Sequence, residues 1–307
     1  MRNTKIFLLV SAIFLCTGLD GLSQQKPVKT SNTLTVSLYG DRQSEDFRWS
    51  IAGNSTGQNP SVLSEVNWKN LKTNGIGADV QLNICAGIFI KGNYHHSFIY
   101  AGHVTDTDYA QDNRSNSTYN ATLSSNEGSS FAYIAALGYE VITQQKIRLK
   151  AYTGYTKNRQ FLHLKEFNPQ TDPNFKILNS TYQTSWTGAV IGADTRFVLN
   201  RLLSATALLN YQQLNYSGYA DWNLIDAFAH PVSFKHKAKG FATQAALSFD
   251  FQINSVFAVS LRGTYNHAET GKGTDQLFLV DGEQQLSQFN GAKRTNKGIG
   301  LGITMTL

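Results

Sequence analysis

Two cysteines occur in 307 residues, Cys16 and Cys85. Cys16 lies in an N-terminal segment that reads as a removable leader, so the mature chain retains one thiol and can form no intrachain disulfide. Export leads into oxidising surroundings, and a chain that makes no use of disulfides there must draw its stability from the fold. Cys85 is expected as a packed small residue rather than a nucleophile. Beyond the leader there is no run of roughly 18 apolar residues, which excludes a transmembrane helix. Prolines number only five, and there is no internal repeat. Positive charge is in modest excess. Past residue 23, 25 Lys and Arg face 20 Asp and Glu, and they are dispersed. That balance suits anionic lipid head groups better than nucleic acid, which an exported protein rarely meets.

The leader itself has Arg2 and Lys5, an apolar run from Ile6 to Cys16, and small residues at Gly21 and Ser23. This predicts a signal peptide over 1–23, cleaved near Ser23 or Gln24. Leu15 stands where a lipoprotein would need a small residue before Cys16. A short segment, 24–32, then leads into one domain over 33–307.

That domain alternates. At the C-terminus Ile299, Leu301, Ile303, Met305 and Leu307 share one face, against Gly300, Gly302, Thr304 and Thr306. The same period of two runs from Phe257 to Asn266 and from Phe241 to Phe251, which means strands. Short breaks at Asn83–Cys85, Thr143–Lys146, Leu199–Arg201 and Ile253–Ser255 alternate with long polar ones near Ala52–Val62, Thr105–Thr118, Asn168–Ser180, Ala220–Phe234 and Gly271–Asn290. Short turns at one end and long loops at the other describe an all-β, ten-stranded antiparallel up-and-down transmembrane β-barrel in the outer membrane. The expected strands are 33–50, 63–82, 86–104, 119–142, 147–166, 181–198, 202–219, 235–252, 256–270 and 291–307. Several exceed the length needed to cross a bilayer, so the barrel should project above it. Only half of each strand faces lipid, which accounts for a mean hydropathy of −0.28. The 14 Tyr and 18 Phe are expected to supply interfacial girdles. The soluble alternative is a secreted β-sandwich or a lipocalin-like barrel; the strand count and the asymmetry of turns and loops weigh against it.

Within this pattern, Asp106 and Asp108 are two residues apart in Gly102-His103-Val104-Thr105-Asp106-Thr107-Asp108-Tyr109. In an extended chain they point to one side. Two carboxylates held together repel, which favours one shared proton, a starting point for acid–base hydrolysis. A solvated pair at a loop edge is the bland reading.

With the strands placed, several fragments resemble the omptins, outer-membrane endopeptidases with ten-stranded barrels. They are Leu63-Ser64-Glu65-Val66-Asn67-Trp68-Lys69, Thr105-Asp106-Thr107-Asp108-Tyr109, Gly154-Tyr155-Thr156-Lys157-Asn158-Arg159 and Tyr216-Ser217-Gly218-Tyr219. They follow one another in the family's order and on matching strands. The resemblance implies peptide-bond hydrolysis at the cell surface by a water activated between an Asp pair and an Asp–His pair. It implies no metal and no covalent intermediate. Asp106 and Asp108 stand for the first pair and Asp226 for the Asp of the second. The family has Asp-Glu-His there, whereas this chain has Asp226-Ala227-Phe228, and the nearest imidazole is His230. An offset of four places His230 about 13 Å from Asp226 along a straight strand, against about 7 Å for an offset of two. A turn near Pro231 would have to close that distance. His95, His96, His103, His163, His236 and His267 are the rival imidazoles. Glu45 lies near the position of a substrate-binding acid, but Leu224 replaces another, so cleavage beside basic residues is not expected. Lipopolysaccharide is the implied activating lipid, with Tyr155, Arg159 and Lys239 as its lipid-binding residues and Lys235 and Lys237 on the same strand as Lys239.

The expected partners are outer-membrane lipids and a peptide or protein substrate at the extracellular mouth, with the chain a monomer and no role for nucleic acid. The alternative reading is a non-catalytic barrel acting as an adhesin, receptor or narrow pore. His230 or another imidazole within hydrogen-bond reach of Asp226, facing the Asp106/Asp108 pair across a water-sized gap, favours the enzyme; Phe228 filling that gap favours binding.

Overall fold

The computed structural model describes residues 33–167 and 177–307. The expected leader, the segment 24–32 and most of the loop expected at Asn168–Ser180 lie outside the described residues. Eleven antiparallel strands follow one another: β1 (Thr33–Ile51), β2 (Ser64–Cys85), β3 (Ile88–Gln111), β4 (Ser115–Ser124), β5 (Gly128–Thr143), β6 (Ile147–Lys165), β7 (Asn179–Val198), β8 (Leu203–Asp221), β9 (Phe234–Gln252), β10 (Phe257–Phe278) and β11 (Gln284–Thr306). β1 pairs with both β2 and β11, so the sheet closes on itself. β4 and β5 share one wall. β3 pairs with β4 from His103 to Gln111 and with β5 from Ile88 to Phe98. Eleven strands therefore make a ring of ten walls.

Turns at 86–87, 144–146, 199–202 and 253–256 close one end. The other end differs from expectation. The polar stretches near Thr105–Thr118 and Gly271–Asn290 are not long loops. They continue β3 into β4 and β10 into β11 through tight reversals at 112–114 and 279–283. Above the membrane both strand faces can be polar, so the apolar alternation that marks a strand within it disappears while the backbone ladder persists.

Outward side chains of the lower barrel form an exposed apolar band. Leu38, Ile76, Leu209, Leu247, Leu261 and Leu301 are each at least 45% exposed. In water such a band would be a liability; in a bilayer it is the lipid face. Exposed Tyr155, Tyr211 and Tyr265 sit eight residues in from the turn end of β6, β8 and β10, respectively.

The chain's four tryptophans do not join that girdle. Trp49, Trp68, Trp186 and Trp222 all point inward, each no more than 4% exposed. With Phe47, Tyr182, Tyr216, Phe234 and Phe289 they form an aromatic layer across the barrel. Each such ring contributes on the order of 1.5–3 kcal/mol by burial. Beneath the layer the lumen is polar and cross-braced. Lys91 pairs with Asp194 at 2.5 Å, Arg262 with Asp79 at 2.8 Å, and His95 with Asp41 at 3.0 Å. The spaces left there are 130 and 240 Å³, as a side-chain-filled barrel of this strand number requires.

Strict alternation does not survive to the mouth, and this positions the site. On β3 the buried side chains are Phe89, Ser97 and Ile99 low in the strand, then Val104, Asp106 and, at 8% exposure, Thr107 higher up. The parity changes at Gly102, whose φ is +155°. A Cβ there would stand 2.6 Å from Leu71 Cδ2 and 3.0 Å from the Ser125 carbonyl, so only glycine makes this bulge without displacement. β10 changes parity too. Ala258, Ser260 and Thr270 are buried, then Asp275, across a register shift between Thr270 and Gly273. Bulges of this kind re-aim side chains at barrel rims.

Candidate functional site

Above the aromatic layer the mouth holds a cavity of 450 Å³. Its walls include Trp49, Trp222, Leu224, Phe228, Phe234 and Leu277, and its polar lining includes Asp106, Asp108, His236 and Asp275. Asp106 and Asp108 point into it because of the bulge at Gly102. Asp106 is 4% exposed. Burial first, and the Asp108 charge second, push its carboxyl up to about 7. Burial also raises Asp108, opposed by a hydrogen bond from Ser64. The pair therefore holds a proton near neutral pH, as two crowded carboxylates should.

Facing into the same cavity is a second pair. His236 on β9 is directly opposite Asp275 on β10 in the ladder, and its Nε2 lies 3.1 Å from Asp275 Oδ1. His236 Nδ1 is 2.7 Å from the Tyr182 hydroxyl, which is 2.6 Å from the Tyr216 hydroxyl. Both phenols are raised well above their ordinary value, by burial first of all, so they stay protonated. Ser287 Oγ donates to the other Asp275 oxygen at 3.0 Å. The imidazole is packed 4.4 Å from the Phe289 ring and 4.8 Å from Trp49, centroid to centroid. Its orientation is fixed on every side except toward the cavity. The contact between His236 Nε2 and Asp275 Oδ1 is close but off the hydrogen-bonding line. Those two atoms and Asp106 Oδ1 are buried and make no hydrogen bond among the described residues. Three unsatisfied polar atoms in the walls of one cavity are costly unless a polar group binds between them.

The residues expected of the second pair are elsewhere. Asp226 is exposed in the loop 222–233. His230 Nδ1 lies 2.5 Å from Asp221 Oδ1, both side chains 40% exposed. Neither Asp226 nor His230 lines the cavity. Phe228 does, because its loop is tied to the end of β10. The Ala229 N–H donates to the Phe278 carbonyl at 2.9 Å, and the Phe278 N–H to the Ser233 carbonyl at 2.8 Å. Glu45 is also outside. It is buried lower in the barrel, where Arg294 Nη2 lies at 2.5 Å, Asn296 Nδ2 at 3.2 Å, and Gln160 donates a further hydrogen bond. On the outer wall, exposed Tyr155 and Arg159 share β6, with Arg159 5.9 Å from the Phe131 ring. Lys239 is exposed on β9, three strand spacings or about 14 Å around the barrel.

Of the rival imidazoles, His236 is the one in the cavity. One signal for it exists in the sequence: it alternates with Lys235 and Lys237, so it belongs to the face opposite the lysines. Asp275 carries no such signal, because strict alternation from Ala258 would turn it outward.

A closed barrel with an apolar outer band, a filled polar lumen and a chemically furnished mouth is an outer-membrane β-barrel. The sequence model of the Pom family, the Protochlamydia outer membrane proteins, matches residues 39–307, and the chain belongs to that family. Its fold is similar to the crystal structure of the outer membrane protease OmpT from Escherichia coli, with a TM-score of 0.73 over 93% of this chain and 100% of that one. Sequence identity is 15%, so the likeness is one of fold. OprG from Pseudomonas aeruginosa matches at a TM-score of 0.37 and 10% identity, over 91% of this chain and 97% of that one. Ail from Yersinia pestis matches at 0.26 and 8%, over 90% and 99%. No curated protein matches the sequence.

Proposed function

We propose that this barrel hydrolyses peptide bonds at the cell surface, with water activated between the Asp106/Asp108 pair and the His236–Asp275 pair. The observation that carries this reading is the convergence of Asp106 Oδ1, His236 Nε2 and Asp275 Oδ1, all buried and unsatisfied, on one cavity. With its Nδ1 proton donated to Tyr182, His236 presents the Nε2 lone pair to a water. Asp275 stabilises the imidazolium formed when that water gives up its proton. The proton held by Asp106 and Asp108 is available to the carbonyl oxygen under attack. Trp49, Trp222, Phe228 and Leu277 suit an apolar substrate side chain, and the Glu45 carboxylate is engaged by Arg294 rather than offered to a basic one.

The test is peptide-library cleavage by the purified, refolded barrel. His236→Gln is expected to lower the rate by about 100-fold or more, and His230→Ala to leave it within about twofold. Unchanged cleavage by folded His236→Gln would refute the assignment of the base. A second reading, a barrel that binds an apolar ligand without cleaving it, is favoured by Phe228 and Leu224 standing in the cavity wall. Absence of any cleavage by folded wild type would establish it over the first.

A further inference from the structure

Two buried phenols stand in line behind His236. Tyr182 on β7 and Tyr216 on β8 are each no more than 2% exposed, and neither lines the mouth cavity. Tyr216 Oη lies 2.6 Å from Tyr182 Oη, which lies 2.7 Å from His236 Nδ1. The space in which the hydroxyls meet is left by Gly218. That residue is paired in the ladder with Thr184 on β7 and with His236 on β9. A Cβ on it would collide with Tyr182 Oη and lie 3.1 Å from Tyr216 Oη. Both rings are held in place. Tyr216 stacks 5.6 Å from Phe289 and meets Trp186 edge-on at 4.6 Å, centroid to centroid. Tyr182 lies 5.6 Å from Trp49 and 5.7 Å from Trp68. With the rings locked, only the hydroxyl and imidazole protons are free to rearrange.

Each phenol has one proton to give and room to accept another, and burial keeps both phenols protonated. Among the described residues Tyr182 Oη has two hydrogen-bond partners, Tyr216 Oη and His236 Nδ1. The line therefore has two proton arrangements. In the first, Tyr216 donates to Tyr182 and Tyr182 donates to Nδ1. The proton of the neutral imidazole is then on Nε2, on the side of Asp275, and the ring cannot take one from water. In the second, Nδ1 donates to Tyr182 and Tyr182 donates to Tyr216, which leaves Nε2 open. Once Nε2 has accepted the water's proton, both ring nitrogens are donors and only the second arrangement survives. The Tyr182 proton then has a single acceptor, the Tyr216 oxygen. A buried hydroxyl denied its acceptor is costly, so that oxygen matters most when the imidazole is charged.

We infer that Tyr216 is a positioning residue for His236: by accepting the Tyr182 hydroxyl proton, it keeps the imidazole proton on Nδ1 and leaves Nε2 free for the attacking water. The inference rests on His236 being the base. Which ring nitrogen carries the proton is set by the hydrogen bond that the other makes. Removing the Tyr216 oxygen leaves Nδ1 as the acceptor for Tyr182, and the ring proton moves to Nε2. No atom in the wall of the cavity has then changed.

The test is nitrogen-15 NMR of the folded, histidine-labelled barrel in detergent, joined to peptide-cleavage kinetics. Protonated and unprotonated ring nitrogens resonate far apart, and His236→Gln identifies the signal by removing it. At about pH 8.5, where an ordinary imidazole is neutral, the wild-type proton is expected on Nδ1. Tyr216→Phe should move it to Nε2 and lower kcat by about tenfold or more, with KM within about twofold. Tyr211→Phe, an exposed tyrosine of the same strand, should change neither. The double variant Tyr182→Phe/Tyr216→Phe should cleave as fast as Tyr182→Phe alone, because the outer hydroxyl acts only through the inner one. A wild-type proton on Nε2, a tautomer that Tyr216→Phe leaves in place, or losses that add in the double variant would each overturn the inference; the last would mark a role in packing alone. The ring signal is read whether or not peptides are cut. A proton that moves as expected in a barrel that cuts nothing would keep the relay and sink the hydrolytic reading instead. Heat-modifiable migration in gels confirms that each variant is folded.

Discussion

Replacing Asp106 by Asn separates the cost of the site from its use. Asp106 is buried, and its folded-state value is about 7 against an ordinary 3.8. A carboxyl raised in this way is protonated in both states at low pH, so it contributes no penalty there. Between about pH 4 and pH 7 the unfolded chain has released the proton while the folded chain still holds it, and stability falls as pH rises. Above pH 7 the full penalty is present. Three pH units at 1.36 kcal/mol each give about 4 kcal/mol. Asparagine has nearly the same shape and does not ionise. Asp106→Asn should therefore match wild type at pH 4 and exceed it by about 4 kcal/mol at pH 8.5, while cleavage is lost. Reversible urea unfolding from detergent micelles at the two pH values measures the difference. A wild-type-to-variant gap that stays constant across this range would refute both the raised value and the reasoning from burial.

Gly102→Ala tests the bulge. Its φ of +155° and the contacts with Leu71 and Ser125 should cost about 1–3 kcal/mol and reduce cleavage by displacing Asp106. Gly92→Ala, where an added Cβ meets nothing within 4 Å, is the control and should be nearly neutral in the urea midpoint. Arg294→Met leaves Glu45 buried without its cation and should cost about 3–5 kcal/mol. Adding Glu45→Gln to it should recover most of that loss, and neither change should alter the order in which peptides are cleaved, because neither residue lines the cavity.

Much of the barrel was written in local chemistry. Side chains on a strand alternate, and a bilayer on one side with a packed lumen on the other turns that alternation into a visible pattern, as in Phe257–Asn266 and Ile299–Leu307. Breaks in the pattern marked the turns at one end to within a few residues, and adjacency of successive strands followed from the up-and-down order. Asp106 and Asp108 were legible as a pair because two residues is the strand repeat itself. The tertiary structure decided what alternation cannot carry. Outside the membrane water accepts polar groups on both faces, so the upper arms of β3, β4, β10 and β11 lost their signature and read as loops. A bulge moves every later side chain to the other face. Gly102 and the shift between Thr270 and Gly273 therefore determined that Asp106 and Asp275 point inward, and closure of the sheet brought His236 on β9 and Asp108 on β3 to one cavity from opposite parts of the chain. The order of residues set which groups were present; the bulges and the ring set which of them meet.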